Sequence, residues 1–184
     1  MHILAISGSL RAVSANTATL QAAARLAPPG MRIALYDGLA GLPHFNPDLD
    51  VDPLPPPVQA LRRAVGGSDG LLICSPEYAR GIAGSLKNAL DWLVSGFEFP
   101  DKPVVVINAS QRSTHADAHL RLTLATMSAR LVEDASITLP LLGRALDADG
   151  IVSDPDLSAR LRAALADFAR AIRQQRQELQ AGEE

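Results

Sequence analysis

Apolar residues along the chain fall into two kinds of stretch. The first kind is short and unbroken. His2-Ile3-Leu4-Ala5-Ile6, Gly70-Leu71-Leu72-Ile73-Cys74 and Pro103-Val104-Val105-Val106-Ile107-Asn108 show no polar alternation, which suits strands buried on both faces of a parallel sheet. Met31-Arg32-Ile33-Ala34-Leu35-Tyr36 mixes apolar and polar residues as a strand nearer an edge does, and a further strand is expected near 131–137. The second kind repeats at helical spacing. Leu20, Ala23, Ala24 and Ala27 form one stripe, stopped by Pro28-Pro29-Gly30. Residues 58–65 form a short helix ended by Gly66-Gly67. Leu86, Ala89, Leu90 and Leu93 mark a third helix, and Leu120, Leu124 and Met127 a fourth. Leu157, Leu161, Leu165, Phe168 and Ile172 mark a long fifth one, opened by Asp154-Pro155 as cap and first-turn proline. The polar residues 174–184 are expected to fray.

Five strands alternating with five helices imply an α/β fold, a parallel sheet with helices on both faces. At 184 residues, 47% of them hydrophobic, the chain fits a single domain over 1–184 with a full core. No internal repeat or low-complexity segment interrupts it. No apolar run approaches the roughly 20 residues that span a bilayer, and the N-terminus has no basic, cleavable leader, so a cytoplasmic protein is expected. A net charge of −3 offers no electrostatic footprint for nucleic acid or a membrane surface. The single cysteine, Cys74, excludes a disulfide framework or a cysteine-rich metal site, and its apolar surroundings predict a buried, inert thiol. The expected ligands are small molecules.

Ligands of such sheets bind outside the carboxyl ends of the strands, where three polar loops meet. The first is Ser7-Gly8-Ser9-Leu10-Arg11-Ala12-Val13-Ser14-Ala15-Asn16-Thr17. It passes from strand to helix, so it gathers free backbone N–H groups at the positive end of a helix dipole, a ready site for phosphate. Ser7, Ser9, Ser14 and Thr17 add hydroxyls, and Arg11 adds a full charge. It lacks both the G-x-x-x-x-G-K-[ST] and the G-x-G-x-x-G patterns, so a different phosphate ligand is indicated. The same residues allow another reading, in which Ser14 is only a helix cap. The second loop is Ser75-Pro76-Glu77-Tyr78-Ala79-Arg80-Gly81 and the third Ala109-Ser110-Gln111-Arg112-Ser113-Thr114. A Gly-, Pro- and Asp-rich stretch over 37–57 is too long for an ordinary connection and is expected to act as a lid or to pack on the body.

The pairing of Gly8-Ser9-Leu10-Arg11, Ser14 and Asn16 with Pro76-Glu77-Tyr78, Gly81-Ile82, Gly84 and Leu86-Lys87-Asn88-Ala89-Leu90-Asp91-Trp92 resembles the NADPH-dependent FMN reductase family, which includes quinone, azo-dye and chromate reductases. Phe45-Asn46 lies in a stretch that is also similar. The resemblance implies a flavodoxin-like, doubly wound sandwich with a five-stranded parallel sheet in the order 2-1-3-4-5. It implies FMN and NADPH (or NADH) as cofactors. Ser9, Arg11, Ser14, Ala15, Asn16 and Thr17 would hold the FMN phosphate, while Pro76, Glu77, Tyr78 and Ala79 would border the flavin ring, with Ser110 at its far side. It also implies a homodimer or homotetramer through the helix at 86–92, and a small-molecule electron acceptor.

Two departures stand out: Ala79-Arg80 replaces an asparagine common in relatives, and the third loop, Ser110 to His115, has no glycine. Glu77 and Tyr78 are candidates either for the flavin or for a subunit contact. His44, His115 and His119 stand alone, Lys87 and Asp91 form a helical surface pair, and Trp92 belongs to a core or an interface. The implied chemistry is hydride transfer from NAD(P)H through the flavin to a quinone-like, azo, flavin or metal-oxyanion acceptor in a ping-pong cycle, with no catalytic side chain and main-chain N–H groups offsetting charge on the reduced ring. The alternatives are a flavodoxin-type electron carrier and an FMN-binding protein without turnover. A phosphoacceptor domain would need acidic residues where Ser7-Gly8 and Cys74-Ser75 stand. Replacing Arg11 by alanine is expected to weaken FMN retention without changing thermal unfolding, and an unaltered FMN affinity would remove Arg11 from the site.

Overall fold

The computed structural model describes residues 1–182. Strands β1 (His2–Ser7), β2 (Arg32–Leu35), β3 (Gly70–Cys74) and β6 (Pro103–Asn108) pair in parallel in the order β2-β1-β3-β6. Two residue pairs fix the centre of the sheet: Ile6 lies opposite Ile73, and Leu72 opposite Val105. The remaining edge differs from the expected single strand at 131–137. β7 (Arg130–Leu131) and β8 (Ile137–Thr138) both pair with β6, separated by a 3-10 turn at Glu133–Ala135. The order is thus 2-1-3-4-5 with its last strand broken in two. Two further strands, β4 (Glu77–Tyr78) and β5 (Gly81–Ile82), form a small antiparallel hairpin where only a loop was expected.

The unbroken apolar runs are explained by burial on two sides. Successive strand side chains point to opposite faces, so Ala5, Leu72, Cys74, Val105 and Ile107 join one core with α1 (Ala15–Arg25), α5 (Ala148–Ser153) and α6 (Pro155–Ala181). Leu4, Ile6, Leu71, Ile73, Val104 and Val106 join the other, under α2 (Pro56–Gly66), α3 (Gly84–Asp91) and α4 (Thr114–Thr126). Gly70 allows α6 to settle on the sheet, because a Cβ there would lie 2.7 Å from Phe168 Cζ. The sixth helix, α5, is one short turn more than the expected five. Among the described residues no helix is long and apolar enough to cross a membrane.

The fraying expected from residue 174 does not occur as far as the described residues run, since α6 continues to Ala181. Polar contacts tether this stretch to the amino-terminal edge of the sheet. Arg130 pairs with Glu178 at 2.9 Å, Arg176 pairs with Asp69, and Gln175 Nε2 donates to Asp101 O at 2.8 Å. Hydropathy is blind to such contacts. Residues 183 and 184 of the expected tail lie outside the described residues.

The stretch over 37–57 packs rather than standing free. Pro43 O accepts hydrogen bonds from Asn88 Nδ2 (2.9 Å) and from the buried Trp92 Nε1 (2.8 Å), while Asn88 Oδ1 accepts from Phe45 N at 2.7 Å. Phe45 meets the Trp92 ring edge-on, with centroids 5.0 Å apart. Farther along, Arg62 pairs with Asp50 at 2.9 Å and donates to Trp92 O and Ser95 Oγ, with both charged side chains largely buried. Such a pair is costly to break from one side. Asn88→Ala removes two of the loop's fastenings and is expected to lower stability by about 2 kcal/mol and to open residues 43–46 to limited proteolysis. A protease-resistant loop would show that Trp92 and Arg62 hold it unaided.

Candidate functional site

The loops after β1, β3 and β6 lie side by side at the carboxyl end of the sheet because those strands are neighbours. β1 and β3 remain paired one residue past the strands: Gly8 N donates to Cys74 O at 2.8 Å. A Cβ on Gly8 would lie 2.6 Å from Ser75 Oγ, so glycine is required for this approach. Ser85 Oγ donates to Gly8 O at 3.0 Å, and Ser75 Oγ accepts from Ala83 N at 3.4 Å. Ser75 and Ser85, neither of them singled out from the sequence, thereby join the first loop to the second.

In the first loop Ser14 has the capping role that its position suggests. It is the N-cap of α1, and its Oγ accepts from Thr17 N at 3.4 Å. Capping satisfies one of the orphan donors of the helix start; Ala15 and Asn16 retain N–H groups without intrahelical acceptors. Ser7 and Thr17 share a hydroxyl bond of 2.9 Å, and Ser9 Oγ accepts from Arg11 N at 3.4 Å. Ser9 and Asn16 are buried. The Asn16 side chain is turned inward, with its Oδ1 accepting from Cys74 Sγ at 3.2 Å, so Asn16 offers the loop its backbone rather than its amide oxygen. Cys74 itself is fully buried, and burial pushes its thiol far above the usual range, as expected of an inert cysteine. Arg11 is exposed and makes no ion pair among the described residues. Free N–H groups, a helix N-terminus and an uncommitted guanidinium fit a phosphate dianion.

The second loop is the β4–β5 hairpin. Its two-residue turn puts Ala79 at φ 50° and Arg80 at φ 59°, the left-handed region that such hairpin turns require and that asparagine and glycine tolerate best. Tyr78 stands half exposed beside it. Glu77 has a definite role that neither sequence reading included. Its Oε2 accepts from Ala116 N at 2.9 Å, at the start of α4, where Ser113 gives no side-chain cap. The carboxylate therefore fastens the hairpin to the helix that follows the third loop.

The third loop is ordered without glycine. Asn108 Oδ1 accepts from Ser110 N at 3.0 Å, Asn108 Nδ2 donates to Ser113 O at 3.2 Å, and Ser110 Oγ accepts from Arg112 N at 3.2 Å. Asn108, the buried last residue of β6, was read only as a strand end; an asparagine followed two residues later by serine at a strand terminus is the turn signal that could have marked it. Between Ser75, Asn108 and α4 lies a cavity of about 10 Å³, room for one water. The adjoining Asp117 Oδ1 is buried without a partner, while its Oδ2 accepts from Arg121 Nε at 2.8 Å. His115 and His119 are exposed on α4, and Lys87 pairs with Asp91 on α3 as expected. Among the described residues no group of three or more His, Cys, Asp or Glu gathers to hold a metal.

Known proteins are similar to this chain in sequence and fold. Residues 1–141 match the family model described as NADPH-dependent FMN reductase. An NAD(P)H-dependent FMN reductase of Pseudomonas aeruginosa is 38% identical over 159 residues, covering 84% of this chain and 85% of the relative. A 2-hydroxy-1,4-benzoquinone reductase of a Burkholderia species is 31% identical over 182 residues, 96% of this chain and 98% of its own. Among solved structures, the flavoenzyme NAD(P)H:(acceptor) oxidoreductase FerB of Paracoccus denitrificans superposes with a TM-score of 0.83 at 28% identity, over 94% of this chain and 97% of that one.

The capping role of Glu77 is open to measurement: Glu77→Ala is expected to cost about 1 kcal/mol of stability, and Glu77→Gln, which keeps an acceptor oxygen, to recover most of it. Equal losses in both variants would mean that the charge, not the cap, holds the hairpin. On the strength of the matched residues, the fold and the three loops at one sheet edge, the chain belongs to the NADPH-dependent FMN reductase family.

Proposed function

We propose that this protein is an FMN-dependent NAD(P)H oxidoreductase that reduces quinone-type acceptors by a ping-pong mechanism. The observation that carries the reading is the junction of the first loop, with its free N–H groups and unpaired Arg11, to the β4–β5 hairpin through Gly8, Ser75 and Ser85. One loop suits the phosphate of a mononucleotide, and its junction to the other supports a ring bordered by the hairpin.

In this reading Ser9, Arg11, Ser14, Ala15, Asn16 and Thr17 hold the phosphate, Arg11 and the helix start supplying the compensating charge. Pro76, Glu77, Tyr78 and Ala79 border the ring from the hairpin, and Ser110 limits it from the third loop. Bound FMN would supply the hydride chemistry, accepting from NAD(P)H and giving to the acceptor. The protein's task is then to orient and to shield, and no acid or base side chain is required. Glu77 agrees with that, because its carboxylate is occupied at Ala116 N. Donor and acceptor use one open face in turn, which is the reason for expecting a ping-pong cycle. The reading includes a cytoplasmic protein that assembles as a homodimer or homotetramer through the side bearing α3, where Val94 and Phe97 stand exposed.

The purified protein is expected to be yellow, and anaerobic NADPH or NADH should bleach it, with a quinone restoring the colour. Initial rates at several fixed quinone concentrations should give parallel double-reciprocal lines. A protein that cannot be loaded with FMN would overturn the function. Intersecting lines would overturn the ping-pong order alone, and colour that neither nucleotide bleaches would favour an electron carrier.

A further inference from the structure

A cavity beside the phosphate loop extends past the residues assigned to the FMN phosphate. It encloses about 300 Å³ between the first two turns of α1 and the segment leading into α5, at the lower end of volumes that enclose small ligands. It shares Ser14, Ala15 and Thr17 with the phosphate loop and continues along the same helix face to Gln21. From Ala15 to Gln21 the helix rises about 9 Å, enough for a nucleoside moiety and too little for a second complete dinucleotide.

The lining has the chemistry of an adenosine pocket. Val13, Ala18 and Leu146 offer apolar surface for a flat ring, with Val13 exposed at the mouth. At the far end is Gln21, whose amide makes no hydrogen bond among the described residues; an amide both donates and accepts and so matches the amino and ring-nitrogen edge of adenine. Asp147 caps α5 through one carboxylate oxygen, its Oδ1 accepting from Gly150 N at 2.8 Å, which leaves the other for a ribose hydroxyl. The phosphate donors lie at the near end, where Ala15 N–H and Asn16 N–H have no intrahelical acceptor and the exposed Arg11 is separated from Val13 by one loop residue.

We infer that this cavity receives the adenosine monophosphate half of FAD, joined to the flavin half through a pyrophosphate held at the α1 N-terminus, so that the protein takes FAD as well as FMN. The inference rests on the proposed flavin site, which supplies the shared phosphate cradle. A free adenine nucleotide would present the same ring and ribose, and the experiment separates the two sources.

Apoprotein is titrated with FMN and with FAD by quenching of flavin fluorescence, and FMN-loaded protein is titrated with AMP by calorimetry. FAD is expected to bind at least as tightly as FMN. Gln21→Ala and Val13→Ser should each weaken FAD about tenfold and leave FMN unchanged. FMN binding with FAD more than about tenfold weaker would overturn this inference and leave the FMN site standing, as would variants that affect both flavins equally. AMP binding to FMN-loaded protein as tightly as FAD binds apoprotein would make the cavity a separate nucleotide site and overturn the shared cradle. Binding of neither flavin would overturn the proposed function itself, and this inference with it.

Discussion

The contact between Gly8 and Ser75 governs the functional end of the molecule. β1 and β3 are adjacent parallel strands, so the chains leaving them compete for the same space. The conflict is resolved by omitting a side chain at Gly8, where a Cβ would approach Ser75 Oγ to 2.6 Å. Gly8 N then extends the ladder to Cys74 O, and Gly8 O receives Ser85. Through Ser75 and Ala83 the same contact sets where the hairpin leaves the sheet. A larger residue at position 8 would part the two loops.

Around this contact the loops hold themselves with short polar side chains. Ser7 to Thr17, Ser9 to Arg11 N, Asn108 to Ser110 N and Glu77 to Ala116 N each satisfy a group that a turn would otherwise leave unpaired. These bonds within the chain hold the three loops in place. The exception to local ease is the hairpin turn, where Ala79 and Arg80 adopt left-handed backbone without glycine or asparagine. Strain of that kind gathers at ligand-facing segments. Each of the three loops also carries one arginine, Arg11, Arg80 or Arg112, without an ion pair among the described residues. These three guanidiniums stand with the Glu77 carboxylate at one sheet edge of a chain whose net charge is −3.

Away from the three loops the complementary principle holds. Asn88 and Trp92 secure the loop after β2, and Arg62 closes over Asp50, so a segment with the composition of a lid is fastened down as part of the wall. The long α6 is held at its polar end by Arg130, Arg176 and Gln175. In both places hydrogen bonds and ion pairs between distant residues order segments whose composition alone suggests looseness.

Hydrophobic patterning by itself determined the layers of this protein. Unbroken runs such as 70–74 and 103–108 can be satisfied only by burial on two faces, and the spacing of Leu157, Leu161, Leu165 and Phe168 admits only a helix, so the parallel sheet and its coverings followed from local sequence. The first loop was likewise readable, because a serine- and arginine-bearing strand-to-helix turn exposes N–H groups whatever surrounds it. Tertiary structure alone decided that residues 131–137 split into two strands, that residues 174–181 remain helical, that Glu77 caps a helix 39 positions away, and that the Asn16 side chain turns inward to Cys74. Each of those outcomes depends on a partner remote in the chain, and a pattern read along the sequence carries no information about which distant residues share a hydrogen bond.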